Sequence, residues 1–138
     1  MSRATPEIQA FAKGLVDYEA RESDAPEVIM RAAFYICERL APHLSGLMGK
    51  EGFSALLARA LALAMREVPE MDAVLIQSDS SLVVQDVYED EGVPEKLAKG
   101  SVVLVAELIG LLEAFIGESL TLRLVRSAWP KMSGGKSL

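Results

Sequence analysis

The stretch Ser101–Trp129, SVVLVAELIGLLEAFIGESLTLRLVRSAW, limits the possible folds more than any other part of the chain. Drawn as a helix it is apolar almost all round, with Leu104, Leu108, Leu111, Phe115 and Leu122 on one side and Val105, Ile109, Leu112, Ile116 and Leu120 on another. A helix of that character must be buried on all sides, so the other segments are expected to pack around it. Glu107, Glu113, Glu118 and Arg123 interrupt the run from Val102 to Val125. Ionised side chains at mid-span cost a few kcal/mol each in a bilayer, so a helix buried in protein is expected and a membrane span is not.

Five small residues, Ala106, Gly110, Ala114, Gly117 and Thr121, recur every three or four positions in this segment. Glycine within a helix costs about 0.5–1 kcal/mol relative to alanine, which a neighbouring backbone in close approach would explain. The stripe is therefore the candidate close-packing or dimer face. Four shorter helices are not expected to cover a single helix roughly 43 Å long, and a second copy of the chain would supply the missing cover. A homodimer is the expectation, with packing on the first or third helix as the competing account.

Composition points the same way. The 138 residues are 51% hydrophobic but only 6% aromatic, which favours a core of Leu, Ala and Val carried on helices. A chain of this length can bury its own core as one domain. The net charge of −6 argues against general nucleic-acid binding, which needs a basic surface to displace counterions. Cys37 is the single cysteine, so no internal disulfide can form, and a cytoplasmic location is the simplest expectation. The N-terminal residues do not have the pattern of a secretory signal.

In chain order, Thr5-Pro6-Glu7 predicts a helix start, with Ile8, Phe11, Leu15 and Tyr18 facing inward as far as about Arg21. Asp24 and Glu27 suggest a capped second start, followed by an inner face of Ile29, Ala33, Ile36, Cys37, Leu40 and Leu44. Pro42 predicts a kink or stop, and Gly46, Gly49 and Gly52 predict a turn between helices. A third helix, about Glu51 to Val68, carries Phe53, Leu56, Leu57, Leu61, Ala64 and Val68 inward and Arg59, Ala62 and Arg66 outward, and Pro69 ends it. Val74–Ile76 and Leu82–Val84 predict two short strands, against the alternative of a helical turn at Met71–Gln77 followed by a loop. Pro94–Lys99 predicts a short helix ending at Gly100, and Ser101 then caps the last one.

Motifs that would carry chemistry fail on spacing. Gly49-Lys50 lacks the first glycine and the following hydroxyl of a phosphate loop, because Leu44 and Glu51 stand there. Between Glu70 and Glu95 lie eight carboxylates and no Lys or Arg, but counting an EF-hand from Asp86 puts Glu91 at the glycine position and Leu97 at the final carboxylate. A solvated acidic loop is the ordinary account, with Asp86, Glu89, Asp90 and Glu91 kept as candidate surface contacts beside Arg59 and Arg66. His43 is the single histidine, and six residues separate it from Cys37, on different sides of a regular helix. The residues after it, Leu44, Ser45, Gly46 and Leu47, do not match the leucine, lysine and glycine at the second to fourth positions after the histidine of bacterial relay phosphotransfer domains. Glu107 and Glu118, about three turns apart, are too distant to share a proton or a metal, and ion pairing or a solvated edge is expected of them.

The chain therefore reads as all-α: a compact bundle of about four to five helices around a long C-terminal helix, with a short β-hairpin near 74–84. Residues 1–130 form a single helical domain and 131–138 a flexible tail. No catalytic, cofactor-binding or metal site is expected. The leading functional expectation is a homodimeric helical interaction or regulatory module, contacting a protein partner. The alternative is a helical domain that binds a small apolar ligand in a pocket beside the C-terminal helix. An enzyme built on carboxylates alone comes third.

Overall fold

Thr5 starts the first helix as its side chain implies, its Oγ1 accepting the backbone N–H of Ile8 at 3.2 Å with proline in the first turn. In the computed structural model, which describes residues 4–85 and 92–131, this helix (α1) spans Pro6–Glu19. It buries Ile8, Ala12, Leu15 and Val16. Tyr18, expected inside, is exposed, because the buried face is centred on Ala12 and Val16.

The second helix (α2) spans Pro26–Glu67. Its N-cap is Ala25, and Asp24 makes no capping bond. Pro42 neither stops nor breaks it: the helix continues to Gly49, where φ 79° and ψ 161° divide it into two segments. Pro42 sits on the exposed side, while Ile36, Cys37, Leu40 and Leu44 beside it are fully buried. Burying one large aliphatic side chain contributes about 1.5–3 kcal/mol, so this group outweighs the roughly 3 kcal/mol that an interior proline costs. Gly49 adopts a backbone region that side-chain-bearing residues avoid. The expected helix-to-helix turn is thus a single-residue break.

Pro69 ends α2 and opens a 3₁₀ turn, Pro69–Ala73. Strands β1, Val74–Ile76, and β2, Leu82–Val84, follow as an antiparallel pair in which Val74 faces Val84 and Ile76 faces Leu82. The expected hairpin is present. At its tip Asp79 Oδ1 accepts from the N–H and Oγ of Ser81, at 3.0 and 2.6 Å, and these bonds hold the Asp79 carboxyl below its ordinary pKa. Glu38 Oε2 on α2 accepts the N–H of Leu82 at 3.0 Å and so docks the hairpin on the bundle.

The third helix (α3) spans Val93–Ile116 without interruption at Gly100 or Ser101. The expected short helix and the Ser101 cap are therefore replaced by one element. Gly100 has a packing role: a Cβ there would lie 2.4 Å from Met71 Cγ and 2.6 Å from its Sδ. Ser101 is fully buried with its hydroxyl unpartnered among the described residues. Lys96 Nζ lies 3.4 Å from Glu70 Oε2, linking the start of α3 to the 3₁₀ turn.

The long C-terminal helix also divides. Gly117, with φ 92° and ψ 156°, separates α3 from a fourth helix (α4), Glu118–Ala128. Among the described residues the architecture is an all-α bundle of four helices with a two-stranded hairpin, at the lower end of the expected helix count. α3 is its centre: it packs most extensively on α2, then on α1 and α4, and buries every residue from Leu104 to Leu112. No helix among the described residues is long and apolar enough to cross a membrane. Of the proposed tail, 132–138 lies outside the described residues.

Candidate functional site

Because α3 begins at Val93, residues on both sides of Gly100 fall on one helical face. Glu95, Ala98, Lys99, Val102, Val103, Ala106 and Glu107 recur at three- and four-residue spacing and form one wall of a cleft. Gln9, Lys13, Val16 and Asp17, spaced likewise on α1, form the opposing wall. Asp24 comes from the connection before α2, Pro26 and Ile29 from its first turn, and Glu67 is its last residue. The cleft has a volume of about 470 Å³, within the range of roughly 300–1,000 Å³ usual for small-molecule sites.

Its chemistry is mixed. Val16, Ile29, Val102, Val103, Ala98 and Ala106 supply apolar surface, and all are buried or half-buried. Among the described residues the charged side chains of its lining are two lysines and five carboxylates. Lys13 and Asp17 lie 3.5 Å apart, both well exposed, and partly neutralise each other. Glu107 differs from the rest because it is only 2% exposed, so its carboxylate stands in the inner wall. The solvated edge expected for it does not describe its position.

The residues singled out from sequence do not assemble in one place. Of the small-residue stripe, Ala106, Gly110 and Thr121 are buried, whereas Ala114 and Gly117 are exposed at the junction of α3 and α4. Only Ala106 lines the cleft. Glu118 lies beyond the Gly117 break, on a different helix from Glu107. Arg59 and Arg66 are both exposed on the second segment of α2. Asp86, Glu89, Asp90 and Glu91 lie outside the described residues.

Cys37 is fully buried, and burial, assisted by the nearby charge of Glu38, pushes its thiol up to about 12. Such a thiol is a small core residue, unsuited to nucleophilic chemistry. His43 is half-buried on α2. Among the described residues no three His, Cys, Asp or Glu side chains are grouped to hold a metal ion.

Sequence reasoning missed Glu95, Lys99, Val102, Val103, Val16 and Ile29 as a group. The signal was present as the three- and four-residue recurrence from Glu95 to Glu107, but placing a helix boundary at Gly100 cut it in two. Comparison of the chain with protein-family models, curated proteins and solved structures gives no significant match.

Proposed function

We propose that the protein is a helical ligand-binding domain that takes a small, largely apolar molecule into the cleft between α1 and the first half of α3. The observation that carries this reading is the cleft itself: about 470 Å³ with an apolar lining from three helices and a few polar groups at fixed positions. Native mass spectrometry of gently purified protein tests it. A bound small molecule of defined mass is expected, lost on denaturation. Repeated recovery of ligand-free protein, with no thermal shift on adding medium-chain alcohols, would defeat it. A single buried cysteine is compatible with a reducing compartment, and a cytoplasmic location is part of the proposal.

A second reading, a homodimeric interaction or regulatory module, is favoured by one surface feature. Phe115 is 65% exposed, beside the exposed Ala114 and Gly117 at the α3–α4 junction. We read this large exposed aromatic group as a candidate contact for a second copy or a protein partner. Since Gly117 divides the long C-terminal helix and α3 packs on α1, α2 and α4, this reading rests on the exposed Phe115 and not on one unbroken helix in need of cover. The exposed Arg59 and Arg66 and the acidic 86–91 segment remain candidate partner contacts. Light scattering that reports a dimer for the native chain and a monomer for Phe115→Glu would support this reading. A monomer for both would remove its self-association.

A further inference from the structure

We infer that α4 is an exchangeable arm: hinged at Gly117, it extends as a continuation of α3 and docks on α2 of a second copy of the chain, which returns its own arm. Between Val93 and Ala128, Gly117 is the one residue outside the two helices, with φ 92° and ψ 156°. The backbone ladder is already helical on either side of it. The Gly117 N–H donates to the Glu113 carbonyl at 2.9 Å, and the Thr121 N–H donates to the Gly117 carbonyl at 3.1 Å. The break leaves the N–H groups that open α4 and the carbonyls that close α3 without helical partners, and α4 has no side-chain cap. A straight helix through Gly117 pairs these groups with each other. Nothing lies within 4 Å of a Cβ added at Gly117, so it is the backbone angles of the break that require a glycine there.

The contacts that hold the arm are ones a second copy offers unchanged. Thr121, Val125, Ala128 and Trp129 are its buried residues, a narrow stripe on an element that packs against α2 and α3. Its far end is tied to other helices, because Arg39 Nε on α2 donates to the Ala128 carbonyl at 2.8 Å and the Trp129 indole N–H donates to Glu19 on α1. An arm swung out alone would expose the stripe and take the Ala128 carbonyl away from Arg39. The straight form is therefore stable where the arm of a second copy fills the vacated place, which is exchange between identical chains. Neither the cleft nor the exposed Phe115 enters this inference.

Gly117→Ala tests it, because alanine is strained at φ 92° and favours a continuous helix, while the substitution removes no side-chain contact of the arm. In light scattering of the full chain across a dilution series, the variant is expected to dimerise about tenfold or more tightly than the parent. The dimer is then refolded from equal parts of isotope-labelled and unlabelled chain. Isotope-filtered NOEs are expected between the Trp129 ring of one chain and the Arg39 side chain of the other, which lie 5.5 Å apart across the clasp. Equal self-association of variant and parent would overturn the inference. A dimer whose Trp129–Arg39 contacts stay within each chain would also overturn it, since that is association without exchange. Should the variant fail to fold, the parent chain refolded from urea at high protein concentration decides: the same interchain contacts are expected, and their absence would defeat the assignment of α4 as an exchangeable arm.

Discussion

Arg39 Nε donates to the carbonyl oxygen of Ala128 at 2.8 Å, joining the first segment of α2 to the last residue of α4 across 89 positions of sequence. The same guanidinium donates to the Tyr35 hydroxyl at 2.5 Å and lies 5.5 Å from the centre of the Trp129 ring. Trp129 in turn donates its indole N–H to Glu19 at the end of α1. One cation thus satisfies a carbonyl at a helix C-terminus, where positive charge suits the dipole, and ties three helices together.

Arg39→Ala should destabilise the protein by about 1–2 kcal/mol, from the loss of its charge-assisted hydrogen bonds to the Ala128 carbonyl and the Tyr35 hydroxyl and of its cation–π contact with Trp129. Arg39→Lys should recover only part of this, because an ammonium cannot stack flat while donating in the plane. Urea unfolding followed by fluorescence measures the loss, and since Trp129 is the single tryptophan, a shift in native emission would report the freed ring directly.

Two glycines should respond oppositely to alanine. Gly14, exposed within α1, has nothing within 4 Å of the position a Cβ would take, so Gly14→Ala should stabilise by about 0.5–1 kcal/mol. Gly100→Ala drives a methyl against the fully buried Met71, and should destabilise by about 1–3 kcal/mol. Thermal melts of the two variants give both signs.

Cys37 should not react with a thiol reagent until the chain unfolds. A rise from 9.0 to about 12 lowers the thiolate fraction about a thousandfold at neutral pH, before burial blocks access. Labelling with an aromatic disulfide should therefore track the fraction unfolded along a urea series. Rapid labelling in native buffer would contradict the placement of this residue.

Glu113 gives a pH dependence of defined sign. Partial burial, with the negative charges of Glu118 and Glu7 adding, holds its carboxyl above the ordinary value. The native chain then binds this proton more tightly than the unfolded chain, so its contribution to stability falls as pH rises from the unfolded pKa through the raised native one. Glu113→Gln should be more stable than the parent above that window and equal to it below. Urea midpoints across the acid range, read as the difference between the two proteins, check it.

These residues also show what the sequence could disclose. The Thr5 cap, the stop at Pro69, the hairpin near 74–84 and the aliphatic stripes of α2 were legible because each depends on neighbours within a few positions. Pro42, Gly100 and Gly117 were not. Local rules make Pro42 a breaker, but the surrounding buried aliphatic groups override it. The same rules make Gly100 a helix end, whereas its missing side chain admits Met71, a residue 29 positions away. Gly117 looked like one more small residue in a stripe until its backbone turned the chain. The cleft is hidden from local rules for the same reason: its walls come from α1, both ends of α2 and an α3 that runs unbroken through Gly100.

Methyl-resolved NMR of isotopically labelled protein, titrated with 1-octanol, tests the ligand-binding assignment most directly. The methyl groups of Val16, Ile29, Val102 and Val103 should shift together and saturate, while those of Leu82 and Val84 in the hairpin stay in place. No shift at the four cleft residues, or saturable shifts confined to other parts of the molecule, would contradict it.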